Sequence, residues 1–151
     1  MGSPIQTRAS SQQALGLFSG QYSHTVEPPC RVSLPAVWRP RLRRGLYLTK
    51  DGQAFPHLVL HTPESLAAWI GRFDQADPQD TETQWHEREF FRRLKEVRLD
   101  TSGRLVVPPE LRGEAHISKE VTLIGVRNRI EIWSTEVLKL QDEAGSPPWG
   151  K

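Results

Sequence analysis

The stretch Asp100-Thr-Ser-Gly-Arg-Leu-Val-Val-Pro-Pro-Glu-Leu-Arg112 decides the fold, because a second copy of it lies earlier in the chain. Glu27-Pro-Pro-Cys-Arg-Val-Ser-Leu-Pro-Ala-Val-Trp-Arg39 aligns with it without a gap, so that an acid, two arginines and a proline coincide. Further along, residues 58–66 align with residues 130–138 after a slip of one residue. The chain is therefore predicted to contain two copies of one structural unit.

Each copy is predicted to begin with two short strands joined by a tight turn. Apolar and polar residues alternate there with the period of two that is typical of a half-buried strand. The inward positions are His24, Val26, Val32 and Leu34 in the first copy and Val97, Leu99, Leu105 and Val107 in the second. The same alternation places both acids, Glu27 and Asp100, on the outer face beside the turns. It places Arg31 and Arg104 there as well.

A hairpin and a closing helix are predicted to complete each copy. The hairpin strands are 45–50, 55–60, 121–126 and 130–133. Asp51-Gly52 and Arg127-Asn128 are expected to form the hairpin turns. Thr62 and Ser134, each followed by a Pro or Thr and a Glu, are typical N-terminal signals of helices.

A further helix is predicted between the two copies. Thr81-x-x-Gln84 resembles a capping box for a helix that runs to about Lys95. Its apolar residues are expected to face inward, namely Trp85, Phe90, Phe91 and Leu94. Short helical turns are also expected after the prolines that end the first strands, over residues 36–39 and 110–112.

These elements define an α+β fold with a simple organisation along the chain. The two units are predicted at residues 18–73 and 96–141, with an acidic linker and helix at residues 74–95. Residues 1–17 and 142–151 have no apolar pattern with which to pack and are expected to be disordered.

The charge of the chain is nearly balanced but unevenly distributed. Twenty basic residues stand against 18 acids, for a net charge of +2. Residues 28–50 contain six basic residues and no acid, whereas residues 74–90 contain six acids and one arginine. Such segregation suits a protein that turns one face towards a polyanion, and it equally suits two solvated faces of opposite sign.

Membrane and secreted classes are disfavoured by the sequence. No run approaches the roughly 18 apolar residues that a membrane-spanning helix needs. Residues 1–14 have neither the basic nor the apolar region of a secretory signal. The single cysteine, Cys30, cannot form an internal disulfide and fits a reducing compartment. A cytoplasmic protein is therefore expected, without a membrane partner.

Patterns that would indicate catalysis or metal binding are weak. His57 and His61 lie in a predicted strand, which separates them by about 13 Å, too far to share one metal ion. Cys30 and His24 lack a recognisable third orienting group and an oxyanion loop. No nucleophile elbow and no glycine-rich phosphate loop is present. No catalytic residue, metal, cofactor or small-molecule substrate is therefore predicted.

The duplicated acid-x-x-x-Arg turn is the best candidate site. The acid is close enough to accept hydrogen bonds from the N–H groups of the turn or to hold the guanidinium. An arginine that is oriented in advance presents a rigid fork of N–H donors, which suits guanine edges or phosphates. In the alternative interpretation, the arginine merely ties the turn together through an intramolecular pair.

Several motifs resemble the MraZ family of bacterial transcriptional regulators. In chain order they are Phe18-x-Gly20-x-Tyr22, the stretch from Glu27 to Pro35, the stretch from Asp100 to Arg112 and Gly125-x-x-Asn128-Arg-Ile-Glu-Ile-Trp133. The resemblance spans about residues 18–141. It implies two swapped-hairpin units of the SpoVT-AbrB type, which form a pseudo-twofold barrel with flanking helices. It also implies a homo-oligomeric ring at the nucleoid that binds repeated double-stranded DNA sites upstream of the division and cell-wall genes.

The resemblance carries DNA contact onto Arg31 and Arg104, with Asp100 as the supporting acid and Glu27 as its counterpart. The first turn departs from the family pattern, in which Asp is followed by Lys-Gly before the arginine. Here Pro28 and Pro29 fix φ and lack N–H donors, and Cys30 replaces the flexible glycine. The first turn is therefore expected to be reshaped or weakened, or replaced in phosphate contact by nearby basic residues. Those residues are Arg39, Arg41, Arg43 and Arg44.

Two functions remain open at this point. One is a sequence-specific DNA-binding regulator that acts as a ring. The other is a ring-forming interaction protein whose altered first turn no longer binds DNA. Retention on DNA that decreases steeply with salt would separate them, because each protein–phosphate contact releases counterions.

Overall fold

A computed structural model of the chain describes residues 16–52 and 54–146, so the predicted disorder of residues 1–15 and 147–151 lies outside it. The strands of this part are β1 (Gln21–Thr25), β2 (Arg31–Ser33), β3 (Leu46–Asp51), β4 (His57–His61), β5 (Lys95–Val97), β6 (Arg104–Val106), β7 (Glu120–Val126) and β8 (Arg129–Ser134). Its helices are α1 (Pro63–Asp74), α2 (Thr81–Arg93), α3 (Pro109–Glu114) and α4 (Thr135–Ala144), with a 3-10 helix at Arg39–Arg41. The predicted α+β class is confirmed.

Six strands form an antiparallel sheet in the order β1-β7-β8-β4-β3-β5, and β2 pairs with β6 in a separate antiparallel ribbon. If each strand of β1–β4 is interchanged with its counterpart in β5–β8, the same order is read in reverse. The two halves of the sheet are therefore related by a pseudo-twofold axis. The pseudo-twofold relation centres on the β4–β8 pair, where Val59 lies opposite Glu131. The first strand of each half pairs with the hairpin of the other half, β1 with β7 and β5 with β3.

The strands of residues 16–52 and 54–146 do not close into the predicted barrel. In this part of the chain β1 and β5 are the two edges of an open sheet, and β2 and β6 pair with each other. Pro35 and Pro108 follow the ribbon strands closely, and a proline cannot donate to a strand ladder. The ribbon therefore stays three residues long on each side.

The core lies between one face of the sheet and the ribbon, which share a single apolar cluster. Val32 and Leu105 enter it from the ribbon and are fully buried, as the alternation predicts. Trp38 packs edge-on against Phe18 and Tyr22, with ring centroids 5.9 and 5.0 Å apart. Two of the predicted inward residues of β1 and its extension are less deeply placed, since His24 and Val26 are half-buried.

Local capping signals place the closing helices correctly. The Thr62 side chain accepts a hydrogen bond from the Ser65 N–H at 3.2 Å, and the Ser134 side chain accepts one from the Val137 N–H at 3.4 Å. Both predicted hairpins are confirmed, since β3 pairs with β4 and β7 pairs with β8. The last helix continues to Ala144, beyond the predicted boundary at residue 141. No helix within residues 16–52 and 54–146 is long and apolar enough to cross a membrane.

The helix α2 differs from its prediction in two respects. Its N-cap is Asp80, whose side chain accepts from the Glu82 N–H at 3.2 Å, whereas Gln84 donates to the Pro78 carbonyl. The prediction that Trp85 and Phe91 face inward is wrong, because they are 49% and 43% exposed. The helix packs through Phe90, which is half-buried with its ring 5.8 Å from the Phe73 ring. The exposed Phe91 ring lies 6.3 Å from the same Phe73 ring.

The two histidines of β4 lie in different surroundings. His61 is fully buried, with Nδ1 2.7 Å from the Ser65 hydroxyl oxygen. Burial, and secondarily the nearby charge of Arg129, lower the pKa of His61 to about 4. His57 instead stacks on Trp133, with ring centroids 4.0 Å apart. The folded protein therefore holds His61 in its neutral form at physiological pH.

Acid should destabilise the protein through His61. Because the pKa of this residue is about 4 when folded and near 6.5 when unfolded, its contribution is complete above pH 6.5 and disappears as the pH falls towards 4. The free energy of unfolding should thereby decrease by up to about 3 kcal/mol over that range. Urea denaturation at several pH values would measure it. The His61→Asn variant should show a flatter dependence, and parallel curves for the two proteins would contradict this expectation.

Candidate functional site

The ribbon of β2 and β6 brings the two predicted turns together. Its paired residues are Arg31 with Val106, Val32 with Leu105 and Ser33 with Arg104. Since Val32 and Leu105 point into the core, the opposite face of the ribbon is turned outward. The side chains on that outer face are Arg31, Ser33, Arg104 and Val106.

In the second turn, the carboxylate of Asp100 organises the backbone. Its Oδ1 accepts hydrogen bonds from the N–H groups of Ser102 at 2.8 Å and Arg104 at 3.0 Å. The Gly103 N–H donates to the Asp100 carbonyl, and Gly103 has a φ of 77°. The hydrogen bond from the Arg104 N–H, with further help from Ser102 and the guanidinium, lowers the pKa of the Asp100 carboxyl. Asp100 is therefore ionised at neutral pH.

The guanidinium of Arg104 lies between two carboxylates, one from each turn. Its Nε donates to Asp100 Oδ2 at 3.2 Å, and its Nη1 donates to Glu27 Oε2 at 3.2 Å. Its side chain remains 29% exposed. The acid of the first turn thus supports the arginine of the second turn, and Arg104 is both fixed in orientation and open to solvent.

The first turn is closed by its backbone. The Arg31 N–H donates to the Glu27 carbonyl at 2.7 Å, and the Glu27 N–H donates to the Arg31 carbonyl at 3.0 Å. Within the described part of the chain, the Arg31 guanidinium forms no ion pair, and its Nε is buried without a hydrogen-bond partner. The two turns therefore differ in how their arginines are held.

Each half of the chain forms a backbone hydrogen bond with the turn of the other half. The Leu34 N–H donates to the Gly103 carbonyl at 3.0 Å, and the Val107 N–H donates to the Cys30 carbonyl at 2.9 Å. Leu34 aligns with Val107 in the repeat, and Cys30 aligns with Gly103. These two hydrogen bonds are therefore equivalent under the pseudo-twofold relation.

Two arginines that the repeat aligns contact the residues around these hydrogen bonds. Arg39 Nε donates to the Leu34 carbonyl at 2.8 Å, and the Arg39 side chain lies against Gly103. Arg112 Nη1 donates to the Pro29 carbonyl at 2.7 Å. The structure therefore gives Arg39, one of the predicted phosphate-contact residues, a supporting position. The role of Arg112 was missed in the sequence, although its alignment with Arg39 was the signal for it.

The remaining arginines of the basic stretch have other surroundings. The Arg41 guanidinium lies 3.9 Å from the centre of the Phe18 ring, and burial lowers its pKa. Arg44 forms an ion pair with Glu64 near the start of α1, which lowers the pKa of the Glu64 carboxyl. Arg43 is exposed. Of these three residues, Arg43 and Arg44 are therefore the exposed ones.

Other reactive groups do not assemble into a site in the part of the chain that the structure describes. Cys30 is 2% exposed, and burial raises the pKa of its thiol. Among residues 16–52 and 54–146, no cluster of three or more His, Cys, Asp or Glu side chains could hold a metal ion. The outer face of the ribbon is the arrangement with a defined recognition chemistry.

Sequence comparison identifies the family of the chain. A model of the family described as "MraZ protein, putative antitoxin-like" matches residues 90–139, a stretch that includes Asp100 and Arg104. A relative from Cytophaga hutchinsonii is 32% identical over 127 residues, which cover 82% of this chain and 83% of the relative. One from Herpetosiphon aurantiacus is 35% identical over 124 residues, covering 80% and 82%. The chain belongs to the MraZ family. Both MraZ relatives are named transcriptional regulators.

In this MraZ chain, Gly103 is expected to tolerate no side chain. Its φ of 77° disfavours any L-residue, and an added Cβ would collide with the Arg39 guanidinium. Gly103→Ala should therefore lower the free energy of unfolding by about 1 to 3 kcal/mol. Gly71 lies within α1 with open space around it and is the matched control. Gly71→Ala should be neutral or stabilising in the same urea titration, and equal effects at both positions would contradict the expectation.

Proposed function

We propose that this MraZ-family protein regulates transcription by binding double-stranded DNA with the outer face of the β2–β6 ribbon. The observation that carries the proposal is the fixed, partly exposed guanidinium of Arg104 between Asp100 and Glu27. A two-stranded ribbon fits the major groove, where an arginine fork can bond both acceptors of a guanine edge. An arginine oriented in advance loses less side-chain entropy on binding.

Contacts to the phosphates complete the proposed interface. Arg31 lies on the same face as Arg104, and Arg43 and Arg44 carry exposed guanidinium groups. We assign these three residues to phosphate contact, with Arg39 and Arg41 in support. The proposed sites are repeated elements upstream of the division and cell-wall genes, which the protein would meet at the nucleoid in the cytoplasm. The role requires no catalytic residue and no cofactor.

The crossed strand pairing supports assigning both halves to the swapped-hairpin type of SpoVT-AbrB proteins. In that assignment residues 18–73 and 96–141 are the two units, and residues 74–95 connect them. The pairing of β1 with β7 and of β5 with β3 is the exchange expected of such units. The chain would then be a pseudo-twofold DNA-binding module that presents two turns together.

The exposed ridge of α2 supports assembly into a homo-oligomer, which we propose to be a ring. Trp85, Arg88 and Phe91 follow one another at a spacing of three residues and are all exposed. Residues three apart are neighbours on a helix surface, so Trp85 and Phe91 lie on either side of Arg88. Covering them in a subunit contact would remove apolar area from water. A ring would also let several weak ribbon contacts bind repeated DNA sites together.

One observation favours a ring-forming protein that does not bind DNA. The two carboxylates that orient Arg104 also neutralise its charge, as they would if the arginine only tied the turns together. Substitution of the two arginines distinguishes these functions.

Arg104→Ala should weaken DNA binding more than Arg31→Ala, because Arg104 is the side chain held in position. The loss should be on the order of 1 to 3 kcal/mol per protomer if Arg104 contacts a base edge. Asp100→Asn should cost less, since the donor remains. Fluorescence anisotropy with a duplex from the promoter of this gene would measure the affinities, with thermal melting as the control for folding. An Arg104→Ala protein that unfolds would support the structural role instead.

The pair of substitutions Trp85→Ser and Phe91→Ser should reduce the mass of the particle in solution. Light scattering of the unmodified chain should give a mass of at least twice 17.2 kDa. Leu140→Ser is the matched control, because Leu140 is 56% exposed on the different helix α4. An unmodified protein of 17.2 kDa would contradict assembly itself. A full-sized particle of the double variant would contradict only the assignment of the α2 ridge.

A further inference from the structure

Val106 is a large apolar side chain on the outer face of the ribbon. It is 46% exposed, whereas its neighbours Leu105 and Val107 are 0% and 2% exposed in the core. It lies two residues after Arg104 on β6, and its partner across the ribbon is Arg31. A valine is thus displayed between the two arginines of the proposed interface.

The repeat shows that the fold does not require an apolar residue at this position. Arg31-Val32-Ser33 aligns with Arg104-Leu105-Val106, so Ser33 is the equivalent of Val106 under the pseudo-twofold relation. Each of these two residues lies opposite the arginine of the other half. The same backbone position therefore carries a hydroxyl in one half and a branched apolar group in the other.

The chemistry of the major groove offers one apolar group to such a side chain. Guanine, cytosine and adenine present hydrogen-bond donors and acceptors there, whereas thymine adds its 5-methyl group. Valine has no polar atom with which to bond the other edges. Contact with a thymine methyl would remove both groups from water, and that gain is absent at the other bases.

We propose that Val106 is a specificity-determining residue that contacts the 5-methyl group of a thymine. The inference rests on the proposed binding of the ribbon to DNA. Side chains two residues apart on one face of a strand are about 6.6 Å apart, and bases along one strand are about 3.4 Å apart. The thymine therefore lies about two base pairs from the guanine that Arg104 contacts. Ser33 imposes no such preference, so the two halves of the ribbon recognise different bases.

The test replaces the methyl group on the DNA and the valine on the protein. The unmodified protein first selects a duplex from a randomised pool. Each thymine of that duplex is then replaced singly by uracil, which lacks only the methyl group. Loss of one buried methyl contact should weaken binding about fourfold at one thymine position of each site. Val106→Ser should weaken binding to the thymine duplex to a similar extent and should not respond to uracil there.

Val106→Ser is the appropriate variant because the chain itself carries serine at the equivalent position. Thermal melting checks its fold, and Leu140→Ser, an exposed change on α4, should leave DNA affinity unaltered. An unmodified protein that is indifferent to uracil at every position would overturn the inference while leaving DNA binding intact. A Val106→Ser protein that still responds to uracil would overturn it as well. Failure to enrich any duplex would contradict the proposed function, and this inference with it.

Discussion

The reciprocal hydrogen bonds between the ribbon and the turns are the interaction on which the rest of the structure depends. Leu34 donates to the Gly103 carbonyl and Val107 donates to the Cys30 carbonyl, so each half completes the turn of the other. The sheet repeats this dependence, because β1 and β5 each pair with the hairpin of the opposite half. Neither half on its own contains the strand that pairs with its edge strand or with its ribbon strand. The two copies therefore form one folding unit with a shared core.

The same crossing sets the electrostatics of the ribbon. Glu27 and Arg104 are 77 positions apart in the sequence, yet their side chains form an ion pair across the two turns. Asp100 is held ionised by backbone N–H groups of its own turn. The orientation of Arg104 thus depends on both halves, whereas Arg31 has no equivalent support from a carboxylate in residues 16–52 and 54–146. The second turn is consequently the one whose arginine, Arg104, is held in a fixed orientation by side chains.

What could be predicted from the sequence was mainly what local rules decide. The repeat gave both hairpins, and the caps at Thr62 and Ser134 follow from side-chain chemistry over three residues. The exchange of strands between the halves carries no local signal, and neither does the Glu27–Arg104 pair. The orientation of α2 was also predicted wrongly, because Trp85 and Phe91 are apolar but their burial depends on tertiary partners. The candidate arginines were found, while the supporting position of Arg39 became visible only in space.

The approximate symmetry between the halves has an evolutionary consequence. In a dimer of identical chains, any substitution in a turn is present in both subunits, so the two turns cannot differ in sequence. Here both turns are encoded separately within a single polypeptide. One could therefore acquire Pro28, Pro29 and Cys30 while the other retained its glycine, Gly103. Joining the copies lets natural selection specialise one side of the ribbon without disturbing the other.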